Sequence, residues 1–361
     1  MLTELQTRSF RNLADQRWRP AAGANLVFGP NGAGKSSLLE AIYLVATTRS
    51  FRTHRLTECC RLGSDGFHLG AEIEGAERVR LEVAYGEDGK FRAVNGTTGP
   101  IVEHVAVCPI VSWTSRDNEI FEGPPAVRRR LMDRGIVVEH PASLSVLSEY
   151  RQAVDAKRAA LDSQVGALRE WNRLLGRAGA ALVERRADWL SKLEKALDRI
   201  LEESAFGLGR VELVYRPSPE EALEGEDAMV EALEALRAQE ISRGILLAGP
   251  HRDDVDIVWR NGPVGSMASA GERKLLGLAF MLAQARLVAE RHEEPVVLVD
   301  DLDSELDPER VEQVWELLAD EPQLVAASSR KSVVSRLDAA AKWELAAGAL
   351  DRLSEPSRAS L

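Results

Sequence analysis

The residues Gly29-Pro30-Asn31-Gly32-Ala33-Gly34-Lys35-Ser36 fit G-x-x-x-x-G-K-[ST], and the strand-like Leu26-Val27-Phe28 precedes them. After them, Leu38, Leu39, Ile42, Val45 and Ala46 fall on one helical face. Strand, loop and helix therefore follow in the order a phosphate-binding loop needs. Glycines let backbone N–H groups close around phosphate oxygens, and the helix N-terminus adds a favourable dipole. Lys35 supplies a point charge to the β- and γ-phosphates, and the Ser36 hydroxyl a ligand for Mg²⁺. The expected cofactors are ATP and Mg²⁺.

Such a loop needs a partner acid. Val296-Val297-Leu298-Val299 suits a buried parallel strand and ends in Asp300-Asp301, where ligands of such sheets bind. Asp300 is the candidate metal ligand beside Ser36. Asp301 is the candidate general base toward water. Lys35, Asp300 and Asp301 make up the expected catalytic set.

Outward from these motifs, strand-like pieces lie at Leu2–Thr7, Phe67–Ile73, Val79–Tyr85, Val105–Val111, Val211–Tyr215 and Val255–Trp259. Gly86-Glu87-Asp88-Gly89 reads as a hairpin turn, so part of the sheet is antiparallel. From Ser143 the texture turns helical. Leu147, Tyr150, Val154, Leu161, Val165 and Leu168 recur at helical steps, as do Trp189, Leu193, Leu197 and Ile200. Gly176 and Gly179 interrupt this stretch and predict a break into antiparallel helices. Trp171 and Trp189 are expected in the core rather than as base-stacking platforms. Glu220 to Glu240 predicts a solvated acidic helix, Gly271 to Glu290 a further helix, and the polar tail after Leu350 is expected to fray.

The 361 residues are 45% hydrophobic and 29% charged, which suits a folded chain of about two domains. No stretch is apolar enough to span a membrane, and the first residues lack a signal peptide's apolar core, so a cytoplasmic location is expected. Cys59, Cys60 and Cys108 have neither disulfide-framework nor zinc-ligand spacing.

The order Ser269-Ala270-Gly271-Glu272, then a helix, then Asp300-Asp301, then Ser304-Glu305-Leu306-Asp307 resembles the signature, Walker B and D-loop of ABC-type ATPases. More narrowly, the chain resembles the RecF family of SMC-like P-loop ATPases in bacterial DNA replication and repair. The resemblance is carried by Phe10-Arg11-Asn12-Leu13, Arg49-Ser50-Phe51-Arg52, Arg128 to Asp133, Trp171 to Gly179, Gly249-Pro250-His251-Arg252-Asp253-Asp254 and Lys274-Leu275-Leu276.

The resemblance implies an α/β fold: an ABC-type ATPase head with a mixed sheet around the P-loop, plus a helical lobe without a long coiled coil. The expected division is 1–122 and 206–361 for the two parts of the ATPase lobe, and 123–205 for the helical lobe. ATP would be sandwiched in a homodimer, with Gly29 to Ser36 of one subunit facing Ser269 and Gly271 of the other, Asp307 along the interface, and Arg11 and Asn12 among the nucleotide-binding residues. Weak hydrolysis would act as a release switch. The implied partners are DNA at gaps or single-strand/double-strand junctions and mediator proteins such as RecR, with no membrane; the implied roles are recombinase loading and the SOS response.

The pattern departs from the family at three places. Glu272 replaces an amide, Ser112 to Asp117 departs from the usual Pro-Glu-Asp stretch that would contribute a Q-loop-like acid, and Ser328-Ser329 occupies the switch position without the histidine of ABC transporters. A transporter subunit would carry Leu-Ser-Gly-Gly-Gln and that histidine, a chromosome-structural ATPase would need two heptad arms, and the signature argues against a small-molecule kinase. For DNA, the candidate contacts are Arg49, Arg52 and Arg55 after the P-loop helix, and Arg128, Arg129 and Arg130. The net charge of -11 argues against indiscriminate coating of DNA, but the acidic surplus lies in Glu220 to Glu240 and the C-terminal third. Met1 to Cys60 is the reverse, richer in Lys and Arg than in Asp and Glu.

Overall fold

The computed structural model describes residues 1–162, 168–291 and 294–353. The chain runs β1 (Leu2–Arg8), β2 (Gln16–Trp18), β3 (Gly23–Phe28), α1 (Lys35–Thr47), β4 (Phe67–Glu74), β5 (Arg78–Gly86), β6 (Gly89–Val94), α2 (Ile101–Ala106) and β7 (Ile110–Trp113). Then come α3 (Glu119–Glu122), α4 (Pro125–Glu139), α5 (Ser143–Asp162), α6 (Leu168–Glu203), β8 (Val211–Arg216), α7 (Glu226–Arg243), β9 (Asp254–Trp259), β10 (Gly262–Pro263) and α8 (Val264–Met267). The last part is α9 (Ala270–Ala289), β11 (Val296–Val299), α10 (Pro308–Leu318), β12 (Gln323–Ser328), α11 (Lys331–Arg336), β13 (Ala341–Ala346) and β14 (Ala349–Arg352).

Two compact units emerge. The first comprises Met1–Asp117, Glu203–Gly207 and the chain from Ala270 onward. It holds an antiparallel sheet in the order β2-β1-β4-β5-β6 and a six-stranded sheet in the order β14-β13-β3-β12-β11-β7. In the second sheet β13, β3, β12, β11 and β7 are parallel, and only the edge strand β14 is antiparallel. One core joins the inner faces of both sheets to α1, whose Leu38, Leu39, Ile42 and Val45 are buried among Leu69, Val83, Val27 and Val325. Almost every α1 residue is buried, as a helix held between two sheets must be.

Against the sequence expectation, the predicted strand Val105–Val111 is shifted: α2 runs to Ala106 and β7 starts at Ile110. His104 explains part of this, since its ring is buried and bonds the Val45 carbonyl at 2.8 Å from the helical segment.

The second unit comprises Asn118–Glu202 and Leu208–Ser269. It contains α3 to α8 and the small antiparallel sheet β10-β9-β8, so 208–269 groups with the helices rather than with the C-terminal part of the ATPase lobe. The predicted break at Gly176 and Gly179 does not occur: α6 runs unbroken through both. A Cβ on Gly176 would stand 2.3 Å from Val230 Cγ2, and one on Gly179 2.3 Å from Met229 Cε. These glycines let α7 approach closely; they do not end a helix. α7 is likewise less solvated than its composition suggests, because buried Glu240 pairs with buried Lys157 at 2.6 Å. Trp189 is in the core, while Trp171 is half-buried. Val165 and the tail from residue 354 lie outside the described residues.

Candidate functional site

Beyond the C-terminal ends of β3, β12 and β11 lie the P-loop, the Ser328-Ser329 turn and Asp300-Asp301. Register aligns Phe28 with Ser328, and Val299 with both Ala326 and Trp113. Because β12 separates β3 from β11, the loop and the acids sit one strand apart at the same edge, where such sheets bind ligands.

In the loop, Gly32 and Gly34 have φ of +81° and +115°, conformations that glycine takes without steric cost. Pro30, Asn31 and Gly32 are exposed at the crest, while Ala33, Gly34 and Lys35 are buried. Gly29 admits no side chain, since a Cβ there would meet the Leu345 carbonyl oxygen at 2.2 Å. Asn12 braces the loop: its Nδ2 donates to the Gly32 carbonyl at 2.7 Å, and its Oδ1 accepts from Ser37 Oγ at 2.9 Å. Gly348 adds a second brace that sequence reasoning missed, donating its N–H to the Ala33 carbonyl at 3.1 Å. Nothing local signals it, because the contact joins the two ends of the chain. Lys35 Nζ donates to the carbonyls of Gly29 at 2.7 Å and Pro30 at 3.2 Å.

Asp300 is buried, and burial pushes its carboxyl above the usual range, while the neighbouring Ser36 hydroxyl and the positive charge of Lys274 pull it back. The two expected metal ligands are thus neighbours. Asp301, half-buried, has φ of +48°, an uncommon conformation for a residue with a side chain, of the kind that gathers at functional sites. Asp307 caps α10 by accepting from Arg310 N at 2.9 Å. Gly271 lies in the first turn of α9, where a Cβ would stand 3.1 Å from the Glu305 carbonyl. Glu272 occupies the same turn, where a helix dipole favours an acid. Ser269 immediately precedes the helix, at the end of the second unit.

In the atypical segment after β7, Asp117 Oδ2 accepts from Thr114 N and Oγ1, both at 2.8 Å. Asp303 was also missed: buried, it pairs with Arg330 at 3.2 Å and accepts from Ser329 N at 3.3 Å, tying the histidine-free switch turn to the segment after β11.

The candidate arginines separate by partner. Arg11 is paired with fully buried Glu40 at 2.7 Å, and Arg52 reaches the same carboxylate at 3.3 Å. A sequence signal existed, since an acid within the apolar Leu38 to Ile42 stretch demands a cation. Arg128 forms a two-pronged pair with Asp254, at 2.7 and 2.9 Å, and Arg129 donates to the Asp253 carbonyl at 2.7 Å. Arg49, Arg55 and Arg130 are exposed. Gly249 to Asp254 belongs to the second unit, where Asp253 accepts from Arg186, Tyr215 and Ser218 and joins α6 to β8 and β9. Its role is to hold that unit together.

The P-loop residues fit a Mg²⁺-bound nucleoside triphosphate. Ser36 and Asp300 are neighbouring hard oxygen donors, and among the described residues nothing beyond its chain neighbours lies within 4 Å of where a Gly32 Cβ would stand. No helix among the described residues is long and apolar enough to cross a membrane.

Comparison with known proteins bears on the whole chain. Residues 4–122 match the model of a family described as AAA domain. The DNA replication and repair protein RecF of Moorella thermoacetica is 30% identical over 363 residues, covering 98% of this chain and 97% of that protein. A solved structure of the recombination mediator protein RecF-ATP in the RecFOR pathway superposes with a TM-score of 0.86 at 26% identity, covering 98% of this chain and 97% of that one. An Smc head bound to the C-winged helix domain of ScpA gives a TM-score of 0.57 at 15% identity, covering 99% and 98%. The fold is that of an ABC-type ATPase head.

Proposed function

The chain belongs to the RecF family of DNA replication and repair proteins, and from that premise we propose that it is an ATP-switched DNA-binding homodimer acting at gaps or single-strand/double-strand junctions. There it helps load recombinase, in concert with mediator proteins such as RecR, and contributes to the SOS response. The observation that carries this reading is the sheet order β3-β12-β11, which brings the lysine-bearing glycine loop and Asp300-Asp301 to one edge of the parallel sheet, one strand apart.

In this reading Gly29 to Ser36 cradle the triphosphate with backbone N–H groups, and Lys35 turns its ammonium from the loop's carbonyls to the phosphates. Ser36 and Asp300 would hold Mg²⁺, which would supply charge neutralisation on the phosphate oxygens. Asp301 orients water and accepts its proton. Ser269, Gly271 and Asp307 of a second subunit close over the nucleotide; without it their helix N-terminus lacks an anion to face. Dimerisation is therefore linked to ATP, and slow hydrolysis releases the dimer. Exposed Arg49, Arg55 and Arg130 are the first candidates for DNA phosphates. A cytoplasmic location accords with these partners.

The test is light scattering with and without ATP on the natural protein and on Lys35→Ala. The natural protein should double in mass with ATP and the variant should not; ATP-dependent dimers of Lys35→Ala would refute the sandwich.

A further inference from the structure

Lys274 lies in the second turn of α9, and its side chain is fully buried at 0% exposure. A buried ammonium needs a reason, since an apolar side chain of similar length fills the same space without the cost of desolvation. Its Nζ donates to the backbone carbonyl of Asp301 at 3.1 Å and approaches that of Asp300 at 3.4 Å. The Asp301 carbonyl also accepts from Ser304 N at 3.0 Å and Ser304 Oγ at 2.9 Å. Three donors thus converge on one carbonyl oxygen, and it belongs to the residue with φ of +48°. Such a conformation persists only where its surroundings over-determine it. Ser304 belongs to the same turn as Asp301, whereas Lys274 reaches it from another element.

We propose that Lys274 is a positioning residue: it locks the Asp301 backbone in the left-handed conformation from which the Asp301 carboxylate meets water, and so ties the signature helix to hydrolysis. Rotating the peptide that follows Asp301 would release the carbonyl and let the residue relax, carrying its carboxylate away. The proposal rests on the reading of Asp301 as the base.

The test begins without nucleotide, by amide hydrogen exchange of Lys274→Met. Exchange should rise in peptides spanning Asp301–Leu306 while α1 keeps its protection. In ATP hydrolysis kcat should fall by tenfold to a hundredfold, of order the effect of a misplaced catalytic group, with KM for ATP unchanged. In an Asp301→Asn background, adding Lys274→Met should lower the single-turnover rate no further. Ser304→Ala, which removes another donor from the same carbonyl at a less buried position, should show the same changes in weaker form. Unchanged exchange at Asp301–Leu306, a multiplicative loss in the Asp301→Asn background, a rise in KM at constant kcat, or exchange raised throughout the protein would each overturn the positioning role. Hydrolysis at the natural rate by Asp301→Asn would instead remove Asp301 as the base, a failure of the underlying reading that is visible without Lys274→Met.

Discussion

The hydroxyl of Ser36, in the first turn of α1, neighbours the carboxylate of Asp300, just beyond β11, and favours its charged form. They are distant in sequence, and the sheet order places them together: β3 delivers the P-loop, β11 delivers the acid, and β12 spaces the two strands. Burial alone would leave Asp300 reluctant to ionise, and the neighbouring Ser36 hydroxyl offsets part of that cost.

In the proposed site Ser36→Ala would remove a metal ligand and the hydroxyl beside a buried carboxylate at once. We expect ATP binding in the presence of Mg²⁺ to weaken by about tenfold or more, equivalent to about 1.4 kcal/mol, while binding in EDTA changes little. Titration of a fluorescent ATP analogue in both buffers checks this. Equal loss in both would mean that Ser36 contacts phosphate rather than metal.

The arginines should divide by partner. Arg49→Ala, Arg55→Ala and Arg130→Ala should weaken DNA binding and flatten its salt dependence by up to about one unit per lost phosphate contact, with thermal stability unchanged. Arg128→Ala should instead lower stability by about 2 kcal/mol, the scale of a lost charged hydrogen bond, because its guanidinium is committed to Asp254 and the Gly123 carbonyl. Denaturation and DNA titration of the same four variants distinguish the two classes.

Local chemistry made much of this site legible. The P-loop, the apolar run before Asp300 and the α9 helix are each written in contiguous residues, and each is found within a residue or two of its expected position. What escaped was set by distant partners. Gly176 and Gly179 look like helix breakers until Val230 and Met229 are placed against them. The ion pair of Arg128 could not be read from its neighbours, because its partner Asp254 is distant in sequence. Gly348 and Asp303 carry no local signature, because their partners are Ala33 and Arg330.

Close packing gives a further prediction in the first unit. A Cβ on Gly277 of α9 would stand 2.1 Å from Cζ2 of buried Trp113. Gly277→Ala should therefore destabilise the protein by about 1–3 kcal/mol, even though alanine is the better helix former by about 1 kcal/mol. A chemical-denaturation midpoint above that of the natural protein would show that the Trp113 ring yields freely.

Acid should loosen the second unit through His251. Burial, reinforced by the positive charges of Arg158, Arg252, Arg129 and Lys157, pushes its folded pKa down to about 4 from 6.5. Tyr150 OH lies 2.6 Å from its Nδ1. Between those pH values the unfolded chain binds the proton that the folded chain refuses, so stability is present above pH 6.5 and is lost as pH falls toward 4. The melting temperature of His251→Gln should fall less between pH 7 and pH 5 than that of the natural protein, both measured at one ionic strength; parallel curves would assign the acid sensitivity to other groups.

The central claim is that ATP brings two modest basic surfaces together on DNA. It is tested most directly by titrating single-stranded, duplex and gapped DNA with the natural protein, with and without ATP, at several salt concentrations. The account predicts tight, salt-sensitive binding that requires ATP and favours the gapped substrate. Affinity that is the same with and without ATP on all three substrates would contradict it.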